Sequence, residues 1–151
     1  MIRIKLLAWC MCAVFFVSCA TRGDLHCYAP SRIGWEIEIL QPIHQLEAHL
    51  EKTEQQQEMN ETIANISFLY DAKLALVFQE WISGLTEKER EKQISKQKQW
   101  LSERRKQIEA AYQEYAGGSL APFNAGQKSV EVTKKRILEI EKHLQKGKGA
   151  L

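Results

Sequence analysis

Apolar residues recur at helical spacing along most of the chain. From Met59 the series Ile63, Ile66, Tyr70, Leu74, Val77, Trp81 and Leu85 advances by three or four residues at a time, which places them on one face of an α-helix. Leu69, Leu76, Phe78 and Ile82 widen that face, so this helix is expected to be central. Gly84 should end it, because glycine accepts the left-handed conformation that often follows a helix. Thr86 with Glu89 then has the capping-box spacing, in which each side chain bonds the other residue's free backbone N–H. A connection this short requires an antiparallel hairpin. The next helix should run from about Glu87 to Ala116, with Ile94, Leu101, Ile108 and Tyr115 seven apart, a repeat suited to coiled-coil-like packing on the preceding helix. Gly117-Gly118 stops it. Asn124 with Gln127 can cap a last helix whose stripe is Val130, Thr133, Ile137, Ile140 and Leu144, ending at Gly147.

Upstream the pattern is weaker. Trp35, Ile37 and Ile39 alternate with Glu36 and Glu38, a period of two that suits a strand or an extended segment. Pro42 can open a short helix carrying Ile43, Leu46 and Leu50, since its missing N–H would be unpaired there anyway. Thr53 with Gln56 resembles another capping box. The expected fold is all-α: an antiparallel bundle of three main helices with a short N-terminal helix, occupying residues 42–147. Residues 19–41 form a tether or extended segment.

The first 18 residues have a different character. Arg3 and Lys5 precede an apolar run of 12 residues, Leu6 to Val17, too short to span a hydrocarbon core of ~30 Å as a helix. This is the pattern of a secretory signal. Ser18-Cys19 fits a lipoprotein signal in which Cys19 becomes the lipidated first residue. Cleavage after Ala20 is the other reading. Ala20 after Cys19, in place of Asp, favours outer-membrane delivery, facing the periplasm. Cys10 and Cys12 lie in the discarded run, and Cys27 is left free or paired with another molecule.

Charge is divided rather than excessive. Residues 36–91 hold 12 acids and 4 bases, whereas residues 92–151 hold 6 acids and 13 bases. No phosphate-binding glycine loop, nucleophile elbow or zinc-binding His-Glu-x-x-His is present. His44 and His49 are five apart, off a common helix face, and no histidine joins a Cys or carboxylate at metal-ligand spacing. Arg104-Arg105-Lys106 lies beside Glu103 and Glu109, a weak signal for nucleic acid. No catalytic residue, metal or cofactor is expected, and binding is the expected mode of action.

Five short motifs occur in order. They are Glu58-Met59-Asn60; Asp71, Leu74 and Phe78; Gln97-x-x-Trp100-x-x-x-Arg104; Gly117-Gly118-Ser119-x-x-Pro122; and Thr133-x-x-Arg136. Together, from Glu58 to Leu144, they resemble the LprI-type lysozyme-inhibitor domain, a small helical module of bacterial envelope proteins. The resemblance implies a non-catalytic protein that binds lysozyme and blocks it. Common lysozymes are basic, so the acidic first half of the chain would steer them. Its implied contact residues are Arg104 and the corner formed by Gly117, Gly118, Ser119, Pro122 and Phe123. Asp71, Leu74, Gln97, Trp100, Thr133 and Arg136 are implied to be structural. The family's disulfide cysteines are missing: Thr62, Ile108 and Lys128 stand where three are expected, and Leu50 lies near a fourth. Ala75 replaces the usual Asn and Arg105 the usual Asp. The alternative is a helical structural or adaptor lipoprotein of the envelope without inhibitory activity. In both readings the partners are the membrane, through the lipid on Cys19, and a protein rather than nucleic acid.

Overall fold

A computed structural model describes residues 35–148, which form four helices: α1 (Trp35–Leu50), α2 (Gln56–Ser83), α3 (Glu87–Gln113) and α4 (Ala121–Lys148). The signal segment, Cys19 and Cys27 lie outside the described residues. No strand occurs among the described residues.

The apolar stripes of α2 and α4 meet. Ile63, Ile66, Tyr70, Leu74 and Val77 from α2 pack with Val130, Ile137 and Ile140 from α4, and Ile43 of α1 closes the same cluster. Burying a side chain of this size contributes roughly 1.5–3 kcal/mol. Cross-contacts set the directions. Ile63, Ser67 and Lys73 of α2 lie beside Gly126, Ser129 and Glu141 of α4, so these two helices run parallel. By contrast Gln97, Arg104 and Ala111 of α3 meet Arg136, Ser129 and Asn124 of α4, an antiparallel register. Gly126 permits the close approach of α2 and α4, because a Cβ there would lie 2.8 Å from Cγ2 of Ile63.

Several expectations are corrected. Trp35–Gln41 is helical rather than extended, and Pro42 lies inside α1 instead of opening it. Ile39 joins Leu46 and Leu50 against the core, and this continuous stripe carries the helix upstream of Pro42. Thr53 caps nothing: its hydroxyl donates to the carbonyl of His49, and Gln55 precedes α2 without a side-chain cap. Gly84 follows α2 in a right-handed conformation, φ −86°. The helix α3 packs chiefly on α4 and barely touches α2. Its seven-residue stripe is largely outward, with Leu101 and Tyr115 exposed, while the buried positions are Gln97 and Ala111. It also stops at Gln113 rather than Ala116, and α4 continues through Gly147. The Thr86–Glu89 capping box is present as read.

Candidate functional site

Six of the motif residues form one layer across α2, α3 and α4. Arg104 reaches from α3 with a side chain only 13% exposed. Its Nη2 donates to Ser129 Oγ on α4 at 2.6 Å, and Ser129 shares a 2.6 Å hydrogen bond with Ser67 on α2. The same Nη2 lies 2.7 Å from Asp71 Oδ1, whose side chain is 44% exposed. That oxygen receives no aligned hydrogen bond, so the Asp71 contact is a charge pair and the Ser129 contact is the directed bond. One turn back on α3, Trp100 lies between two guanidinium groups, with Arg104 Cζ 5.9 Å and Arg136 Cζ 5.7 Å from its ring, within cation–π range. Arg136 also donates from Nε to Gln97 Oε1 at 3.0 Å and from Nη1 to Glu139 at 3.0 Å. Thr133 is fully buried on the same face of α4, and Leu74 is in the apolar core.

Bonds to a charged donor contribute about 1.5–3 kcal/mol, and these tie α2, α3 and α4 together. The positions that lack the expected cysteines are otherwise engaged. Thr62 is buried, Ile108 is half-buried, and Lys128 pairs with Glu131 at 2.6 Å. Ser67 and Ser129 escaped the sequence reading. Their signal was a polar residue four before Asp71 and four before Thr133 on faces that point inward.

The corner between α3 and α4 is built differently. Gly117 has φ +83°, a backbone conformation costing an L-residue about 1–2 kcal/mol. Gly118 donates its N–H to Tyr115 O at 2.9 Å, and Ala121 to Gly118 O at 3.2 Å. Two asparagines pin this turn. Asn60 of α2 donates to Ser119 O at 3.0 Å, and Asn124 donates to Ala111 O at 2.7 Å and to Glu114 at 3.1 Å. Asn124 therefore closes the end of α3 and does not cap α4, which already begins at Ala121. Ala121 is buried and Phe123 packs against the core, whereas Gly117, Gly118, Ser119, Leu120 and Pro122 are exposed. The structure thus separates the expected contact residues: Arg104 and Phe123 face inward, and the rest project.

On the opposite flank, Glu47 of α1 accepts from Lys134 at 2.7 Å and from Tyr70 at 3.0 Å. Partial burial raises the Glu47 pKa, but the bonds from Lys134 and Tyr70 and the Lys134 charge outweigh it, leaving the carboxyl below its ordinary value. Burial, aided by Glu47, raises the Tyr70 phenol. A groove of about 520 Å³ lies beside this cluster, floored by Leu50, Ile63 and Val130. Among the described residues no three metal-ligating side chains converge, and no helix is long and apolar enough to cross a membrane.

The family model described as lysozyme inhibitor LprI matches residues 47–140, a span that contains both the polar layer and the corner. No curated protein and no solved structure matches the chain.

Proposed function

Because the chain belongs to the LprI lysozyme inhibitor family, we propose that it binds lysozyme and occludes its cleft without catalysis, held at the cell envelope by a lipid on Cys19. The observation that carries this reading is the division of the motif residues. Asp71, Gln97, Trp100, Arg104 and Arg136 are spent on joining three helices and Thr133 is buried, which leaves the projecting corner free to meet a partner. That corner has what an occluding element needs. It is exposed at Gly117, Gly118, Ser119 and Pro122, and two asparagine hydrogen bonds hold its shape before binding. A preformed element loses little conformational freedom on docking. Phe123, at its end, packs against the core.

Anchoring follows from the N-terminal pattern: a basic start, a short apolar run and Ser18-Cys19-Ala20. In this reading the helical domain faces the periplasm from the outer membrane. Replacing Cys19 by Ser should leave the protein soluble, and an unchanged membrane fraction would count against lipidation.

The activity is tested by adding the purified protein to lysozyme acting on a suspension of cell walls and following turbidity. Lysis should slow as the inhibitor approaches the lysozyme concentration. Unaltered lysis at large molar excess, with no binding by calorimetry, would overturn the inhibitor reading and leave a helical adaptor lipoprotein.

A further inference from the structure

We infer that the docking surface is the corner end of the bundle, an exposed aromatic patch on acid-rich, base-free stretches of chain, and that it selects a cationic protein surface. This rests on the reading that the chain engages a protein partner, and it adds which surface does so and the charge of what it meets. Tyr112, Tyr115 and Leu120 fall within nine residues and are 39%, 48% and 44% exposed. Exposed tyrosine is a good anchor, because it offers a large rigid area and a hydroxyl at low conformational cost. The corner holds Leu120 in place through the backbone bonds on either side, Gly118 to Tyr115 and Asn124 to Leu120.

Charge identifies the occupant. No Lys, Arg or His occurs from Gln107 to Gln127, nor from Thr53 to Ala72, and the Asn60–Ser119 hydrogen bond brings these two stretches together. Between them they carry Glu54, Glu58, Glu61, Asp71, Glu109 and Glu114, of which Asp71 is paired with Arg104. Of the bases that flank these stretches, Lys73 lies 3.3 Å from Glu141, Lys106 3.3 Å from Glu103 and Lys128 2.6 Å from Glu131; Lys52 at the α1–α2 turn and Arg105, two turns before Tyr112 on α3, are exposed at the margin. A neutral apolar partner would gain nothing from this rim. A lysine- or arginine-bearing surface gains steering toward the patch and cation–π contact with Tyr112 and Tyr115 once there.

The test compares binding of a basic lysozyme, the same lysozyme with its amino groups acetylated, and cytochrome c as a basic protein without lytic activity. The protein is used as wild type, as Tyr112→Ala/Tyr115→Ala, as Glu54→Gln/Glu61→Gln/Glu114→Gln, and as Leu138→Ala, an exposed site on α4 outside the patch. Circular dichroism melts verify that each variant is folded. The tyrosine pair should weaken lysozyme binding about tenfold or more. The glutamine triple should slow association and flatten its salt dependence. Acetylation should weaken wild-type binding, and Leu138→Ala should behave as wild type. Equal lysozyme binding by all folded variants overturns the surface while leaving the inhibitor reading intact. If wild type ignores lysozyme but binds cytochrome c with the same variant pattern, the surface stands and the inhibitor reading fails. Binding to neither protein overturns both, and a concentration-dependent dimer abolished by the tyrosine pair overturns the choice of partner.

Discussion

The polar layer and the corner draw on the same three helices and follow opposite rules. In the layer, charged and aromatic side chains turn onto one another: Arg104 with Ser129 and Asp71, Arg136 with Gln97, and both guanidinium groups against Trp100. At the corner, backbone and two asparagines do the holding, while tyrosines, Leu120 and glycines face solvent. A signature motif can thus serve the joining of helices. Here Gln97, Trp100 and Arg104 record how the helices are joined, and the adjoining Gly117-Gly118-Ser119 turn carries the projecting shape. The layer's charged cross-links join α2, α3 and α4.

The comparison breaks most visibly at Arg104. Arg104→Ala should destabilise the fold by about 2–3 kcal/mol, because Ser129 loses a charged donor and Asp71 its counter-ion. The cost stays below that of a fully buried pair because Asp71 retains access to water. Urea unfolding would measure this, and the folded fraction should inhibit lysozyme as wild type does. Gly117→Ala should show the converse. Its Cβ meets nothing within 4 Å, so the cost is the left-handed backbone alone, about 1–2 kcal/mol, yet inhibition should fall because the turn relaxes to another shape. Asn60→Ala removes one partly exposed bond to the corner and should cost roughly 0.5–1 kcal/mol, with greater protease cleavage near Ser119 as its signature.

The smallest effect should come from the flank away from both regions. The folded pKa of Glu47 is depressed, so its stabilisation is present above the unfolded value of about 4.3 and is lost as pH falls through the folded value. Glu47→Gln should flatten stability against pH in that acid window. The change should be well under about 1 kcal/mol because the pair is largely solvated, and inhibition at neutral pH should not move.

Much of the fold was legible because α2 and α4 bury a single apolar face, and Thr86 with Glu89 is a local arrangement needing no tertiary partner. What failed depended on the tertiary partner. Five residues alternating from Trp35 to Ile39 fit a strand until Ile39 is seen to extend the stripe of Ile43, Leu46 and Leu50. A heptad in α3 fixes a face but not which helix it meets, and α4 supplied the polar groups that Gln97 and Arg104 require. Thr53 and Asn124 have capping residues at capping spacing, but one bonds backward to His49 and the other serves the end of α3. Motif order identified the residues of the layer, while the inward direction of Arg104, on a helix rich in surface bases, was visible only once Ser129 and Asp71 were placed beside it.

The central claim is that the layer holds and the corner binds. Its most direct measurement is a titration of lysozyme-driven lysis with wild type, Arg104→Ala and Tyr112→Ala/Tyr115→Ala, each corrected for its folded fraction. Wild type and Arg104→Ala should slow lysis equally per folded molecule, and the tyrosine pair should require about tenfold more protein for the same effect. Equal inhibition by the tyrosine pair, or loss of inhibition in folded Arg104→Ala, would contradict the account.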